Sequence, residues 1–299
     1  MAGRLCRNPR AGENAGAVNA ADAPIVVAYD GSADSDRALE WAITAAAQRL
    51  CPLRLVTVVT YDAPQWLRER AEEAERRAVE QLSELGGPSG RLPVALVKTF
   101  VDPAAHALLL QAADARMLVL GARGHGAISG YLLGSISQHV SRHAECPVVV
   151  VRQSHDAKDT RIVIGYDHST GSQQAVEFGF EAANLAGAPV TVIHGSRRST
   201  HEPAGTYVSV SQEEVANETD SGAHRVHEAM GEWQAKYPDL DVTLESVPLH
   251  PVRLLTDASQ HAALVVVGSR GRGAFAGLLL GSVSQGLLHH AACTVAIAR

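Results

Sequence analysis

Two segments of this 299-residue chain are the same stretch written twice. Gly121–Cys146 reads GARGHGAISGYLLGSISQHVSRHAEC, and Gly268–Cys293 reads GSRGRGAFAGLLLGSVSQGLLHHAAC. They align without a gap and agree at 15 of 26 positions. The starts match too: Ile25-Val-Val-Ala-Tyr-Asp30-Gly-Ser pairs with Ile162-Val-Ile-Gly-Tyr-Asp167-His-Ser. The separation is 137 residues at the start and 147 at the end, so the second copy carries about ten extra residues in its middle. Solenoid repeats run to about 20–50 residues. A period this long predicts two whole domains, which the length also allows.

Each copy alternates short apolar runs with helical stretches. In the first copy the runs are 25–29, 53–59, 94–100, 117–120 and 147–151, with helical segments at 35–49, 64–85, 103–115 and 135–144. In the second the runs are 162–166, 190–194, 242–247, 264–267 and 294–298. The runs are nearly continuous in Val, Leu and Ile rather than alternating, the pattern of strands buried on both faces of a parallel sheet. Strand–helix alternation predicts an α/β doubly wound domain in each copy. The domains are expected at 24–152 and 161–299, joined by the polar linker 153–160. Residues 1–23 lack hydrophobic periodicity and an apolar signal core, and read as a disordered leader.

Composition excludes several classes. Lys and Arg total 26 against 32 Asp and Glu, a net charge of -6, which argues against a nucleic-acid binder. Aromatics at 4% leave little for base-stacking platforms. No apolar run reaches the roughly 18 residues of a membrane span. Cys6, Cys51, Cys146 and Cys293 form no CxxC pair, and sparse thiols suit a reducing cytoplasm. Cys146 and Cys293, equivalent in the repeat, read as small buried residues.

In open α/β sheets ligands sit beyond the carboxyl ends of the strands. Two features fall there in each copy. One is the acid ending the first strand, Asp30 or Asp167. The other follows the fourth strand: Gly121-x-x-Gly124, nine residues, then Gly134-Ser135, and likewise Gly268-x-x-Gly271, nine residues, then Gly281-Ser282. Glycines let backbone N–H groups approach a phosphate, and the Gly-Ser opens a helix whose amino end carries free N–H groups. Ser135 and Ser282 are expected as N-caps or phosphate donors. Arg123 and Arg270, with Gly126 and Gly273, are retained inside both loops.

These motifs resemble the ATP-binding signature G-2x-G-9x-G-(S/T) of the universal stress protein family, in its tandem-domain form common in actinobacteria. The resemblance covers residues 24–299. It implies a five-stranded parallel sheet of order 3-2-1-4-5 in each domain, with helices on both faces and one ATP site. Mg2+ is the companion expected for the phosphates. By position, Ala28, Asp30 and Val58 would meet the nucleoside, and Gly121, Arg123, Gly124, His125, Gly126, Gly134, Ser135 and Ile136 the phosphates. Their counterparts are Gly165 and Asp167, then Gly268, Arg270, Gly271, Arg272, Gly273, Gly281, Ser282, Val283 and Ser284. The resemblance also implies a cytoplasmic regulator of stress response or growth, with unknown protein partners and the capacity to dimerise. The alternative is a slow ATPase or nucleotidyl-transferring enzyme using the same pockets, which would want a general base near the loop. The two domains are expected to pair through their last strands, covering an apolar edge.

Two departures separate the copies: Gly195 stands where the first has Val58, and His168 where it has Gly31. Loss of an aliphatic contact of about 1 kcal/mol predicts a weaker second site, against which Arg272 replaces His125. Other constellations are weak. There is no Gly-Lys dipeptide and so no Walker A loop. The ATP-pyrophosphatase loop SGGxDS is missing as well. His139 and His143 share a helix face, but Gly286 replaces the first of them in the repeat, so they read as exposed helix histidines, as do His224 and His227 beside Glu228. Ser32 near Asp30 reads as a helix cap.

Overall fold

The computed structural model describes residues 23–58, 65–85, 94–99, 103–124, 133–153, 159–195, 212–272 and 279–299. The expected leader up to residue 22 and most of the linker, 154–158, lie outside the described residues.

The apolar runs become ten strands: β1 (Ile25–Ala28), β2 (Leu53–Val58), β3 (Val94–Thr99), β4 (Met117–Gly121), β5 (Val148–Val151), β6 (Ile162–Gly165), β7 (Val190–Gly195), β8 (Val242–Val247), β9 (Leu264–Gly268) and β10 (Thr294–Ala298). The helices are α1 (Ala33–Arg49), α2 (Gln65–Leu85), α3 (Ala104–Gln111), α4 (Ser135–His143), α5 (Thr170–Ala186), α6 (Gln212–Lys236), α7 (Pro251–Ala258) and α8 (Ser282–His290). Within each half the pairing is parallel, in the order β3-β2-β1-β4-β5 and, repeated, β8-β7-β6-β9-β10. The halves meet antiparallel through β5 and β10, with Val148, Val149 and Val150 opposite Ile297, Ala296 and Val295. One ten-stranded sheet results, and β5 and β10, apolar but for Thr294, are wholly buried.

Continuous apolar strands need cover on both faces. One core layer joins the sheet to α1, α2, α5 and α6, using Leu39, Ile43, Ala74, Phe180 and Met230. The other joins it to α3, α4, α7 and α8 through Leu108, Val140, Leu255 and Leu287. Cys51, Cys146 and Cys293 are buried free thiols within these layers. Burial pushes the Cys146 thiol up to about 11 and that of Cys293 to about 12.

Helix ends follow the repeat. Ser32 and Ser169 cap α1 and α5, each hydroxyl accepting the N–H three residues on, at 3.2 Å. Both helices end on a left-handed residue: Gly187 after α5, but Leu50 after α1, at φ 50°. Arg49 reaches across the pseudo-symmetry axis to Glu181 of α5 at 3.0 Å.

Candidate functional site

The carboxyl ends of β1, β2 and β4 leave a crevice where the strand order reverses. In the first domain this crevice is a cavity of about 310 Å3. Ala28, Asp30, Val56 and Val58 supply its strand side, and Ala104 and Leu108 of α3 its roof. Gly121, Arg123, Gly124, Gly134, Ser135, Ile136 and Ser137 close the other end. The structure thus brings nine residues singled out by the motif and the resemblance onto one cavity. His125, Gly126 and Gly273 lie outside the described residues.

The polar end of the cavity is built by an uncapped helix. Gly134 is the N-cap of α4, at φ -71°, and no side chain caps the helix. Its own N–H is used by the Ala122 carbonyl at 2.8 Å, and the first intrahelical bond runs from Gln138 N–H to Gly134 O at 2.9 Å. The N–H groups of Ser135, Ile136 and Ser137 therefore have no partner within the helix. Ser137 could have served, but its hydroxyl donates to the Gly121 carbonyl at 2.8 Å instead. α8 repeats this: Gly281 caps without a side chain, its N–H meets Ser269 O at 2.7 Å, and Ser284 donates to Gly268 O at 2.6 Å. The expectation that Ser135 and Ser282 are N-caps is corrected. Each is the first helical residue, because the glycine before it already has the extended conformation a cap needs.

The glycines also have a packing role. A Cβ on Gly121 would lie 2.7 Å from the Asp34 backbone at the start of α1. On Gly268 it would lie 2.3 Å from Gly171. These glycines let the fourth strand of each domain pass under the first helix. Gly124 and Gly271 admit the acids instead, since a Cβ on either would sit 2.4 Å from an oxygen of Asp30 or Asp167.

Asp30 braces the turn before α1, and Asp167 braces both its turn and the second glycine loop. Asp30 accepts from Ser32 N–H at 3.0 Å. Asp167 accepts from Ser169 N–H at 3.0 Å and from Arg272 N–H at 2.9 Å. Burial alone would raise the Asp167 carboxyl, but the hydrogen bond from the Ser169 hydroxyl, with these two from backbone N–H groups, outweighs it and holds it below the usual range.

Sequence reasoning missed Asp34. It is buried, accepts from the N–H of Arg123 at 3.0 Å and from its Nε at 3.3 Å, and also pairs with Arg37. The partners are 89 residues apart, and its repeat counterpart is Gly171, so neither spacing nor repetition marked it. Ala104, Leu108 and Ser137 were missed as well; only Ser137 carried a signal, as the counterpart of Ser284.

In the second copy Gly195 does remove the Val58 side chain, but the place is taken. A Cβ there would meet the Pro251 Cα at 3.0 Å and the Leu249 carbonyl at 3.1 Å. His168 adopts the left-handed φ, 65°, that Gly31 adopts at 80°. Its ring stands edge-on to His194 with centroids 5.4 Å apart, and His194 Nδ1 lies 3.2 Å from Ser246 Oγ. Strand alternation puts His194 on the α5–α6 face, away from the crevice. His139 and His143 stack on α4 with centroids 4.1 Å apart. Among the described residues no group of three or more His, Cys, Asp or Glu could hold a metal ion.

The model of the universal stress protein family matches this chain twice, over residues 23–152 and 160–299. The chain belongs to the universal stress protein family. A universal stress protein of Mycobacterium tuberculosis is 34% identical to it, covering 92% of this chain and 96% of the relative. Another from the same organism is 32% identical with the same coverage. Among solved structures, a universal stress protein from Archaeoglobus fulgidus superposes with a TM-score of 0.65 at 18% identity, over 92% of this chain and 96% of that one. The relatives are thus matched nearly end to end, as expected of a tandem universal stress protein. No helix among the described residues is long and apolar enough to cross a membrane.

Proposed function

We propose that this chain is a nucleotide-binding regulatory protein, taking ATP at one site in each domain and acting through its nucleotide state rather than through turnover. The observation that carries the reading is the uncapped start of α4, whose first three backbone N–H groups have no partner among the described residues and open on a cavity lined by Ala28, Val56, Val58, Ala104 and Leu108. An anion belongs at the first and a flat apolar group at the second. Ser135, Ile136 and Ser137 would hold phosphate through their N–H groups, and Ala28, Val58, Ala104 and Leu108 would flank the base. Mg2+ would travel with the phosphates. A regulatory reading is favoured over a catalytic one by the state of the nearby carboxylates. Asp34, buried, has both oxygens engaged, by Arg123 and Arg37, and Asp30 accepts the Ser32 N–H.

Equilibrium dialysis of the full chain against ATP tests this. Saturation at up to two nucleotides per chain is expected, with the ATP recovered intact after hours. A folded protein that retains no nucleotide at millimolar ATP would overturn the reading.

A further inference from the structure

We infer that the two sites hold different parts of a nucleotide: the first selects the nucleoside, the second the polyphosphate. This rests on the reading of both crevices as nucleotide sites and refines it.

The nucleoside end differs because two side chains are missing. Ala28 and Val58 border the first cavity, and their counterparts are Gly165 and Gly195. α7 has moved into the room this leaves. A Cβ on Gly165 would lie 2.8 Å from both Leu255 Cδ1 and Val267 Cγ1, and one on Gly195 would lie 3.0 Å from the Pro251 Cα. Carbon atoms in contact stand about 3.5–4.0 Å apart, so the first domain's side chains could be placed here only if Leu255, Val267 and Pro251 gave way. The Leu255 side chain occupies the place that a side chain on Gly165 would take.

The phosphate end differs in charge. In the first loop the Arg123 guanidinium is paired with Asp34, whose side chain is 8% exposed. In the second loop Gly171 replaces that carboxylate, and the Arg270 carbonyl fills its place, 2.2 Å from where a Cβ would be. Arg270 and Arg272 are both exposed, and among the described residues neither is paired with a carboxylate. Two uncommitted guanidiniums beside an uncapped helix suit several phosphate oxygens. A site with one neutralised arginine and a roomy apolar wall suits a nucleoside with few charges.

Calorimetry on the full chain at physiological salt, with adenosine and inorganic tripolyphosphate as separate probes, tests the division. The wild type is expected to take one adenosine and one tripolyphosphate per chain. Val58→Trp, or Ala104→Trp as an independent block of the same cavity, should weaken adenosine by about tenfold or more and leave tripolyphosphate within about twofold. Arg270→Ala with Arg272→Ala should do the reverse. Two equivalent adenosine sites, tripolyphosphate binding that follows the Val58 and Ala104 variants, or uptake of only one probe would overturn the division. A wild type that binds ATP but divides it in neither way defeats this inference alone. A wild type that binds neither probe nor ATP defeats the nucleotide reading beneath it.

Discussion

Arg152 and Arg299 stand in matching positions, one residue beyond β5 and β10, and each reaches into the other domain. Arg152 donates to the Leu288 carbonyl in the last turn of α8. Arg299 donates to the Ser141 carbonyl in the last turn of α4, at 2.6 Å. Each satisfies a carbonyl left over at a helix end and places a cation at the negative pole of the dipole. Burial lowers both guanidinium pKa values, yet an arginine keeps its proton. Arg152→Ala or Arg299→Ala should each cost about 1–3 kcal/mol, the range for losing a buried bond to a charged donor. Urea unfolding of the full chain measures it; a loss within error would mean the crossing is ornamental.

Gly121→Ala should reduce stability by about 1–3 kcal/mol, because the added carbon meets the α1 backbone, which cannot give way as a flexible side chain would. Gly268→Ala should cost at least as much, its nearest neighbour being backbone at 2.3 Å. Thermal unfolding without ligand separates this from a binding defect. Unchanged melting with weakened ATP binding would return these glycines to the phosphate.

Acid should weaken the second domain through His168 and His194. For His168, burial and then Arg225 and Arg272 lower the pKa from 6.5; for His194, burial acts first, followed by His168 and Arg225. The unfolded chain therefore takes up these protons at higher pH than the folded one. The stability that the neutral pair preserves is intact above 6.5 and is lost as pH falls below it. His194→Thr copies Thr57 of the first domain. Between about pH 7.5 and 5.5 the wild type should lose more stability than this variant. Parallel losses would show that the pair does not titrate. His289, also lowered, is present in both proteins and drops out of the difference.

Leu50→Gly should stabilise the chain by about 0.5–1 kcal/mol, since relief of a left-handed leucine outweighs the extra freedom of glycine when unfolded. The side chain is 62% exposed, so little packing is lost. Gly187 already fills the equivalent place. A lower melting temperature would mean that Leu50 is held by contacts worth more than its strain.

The fold was legible because duplication doubled each weak signal, and buried parallel strands leave continuous apolar runs. The glycine-loop end of the cavity was legible because its glycines recur at fixed spacing. The end walled by α3 was not. Ala104 and Leu108 look like any apolar residues of a sheet-facing helix, and whether such residues meet a core or a cavity depends on how far the helix stands from the sheet. Asp34 was hidden for a different reason: its partner Arg123 is close only in the folded chain. The gap at Val58 and Gly195 was visible as a missing side chain. That Pro251 would fill it depended on a neighbouring helix, whose position no local pattern records.

The antiparallel junction of β5 with β10 has a consequence for how this chain can change. Two halves on one polypeptide are always made in equal number and always meet each other. A substitution in one half is then tested against a fixed partner rather than against a copy of itself. No symmetry forces both crevices to accept the same change, as it would in a pair of identical chains. Gly165 in place of Ala28, and Gly171 in place of Asp34, are the kind of divergence that such freedom permits. The seam that ties the halves together is also what lets them specialise.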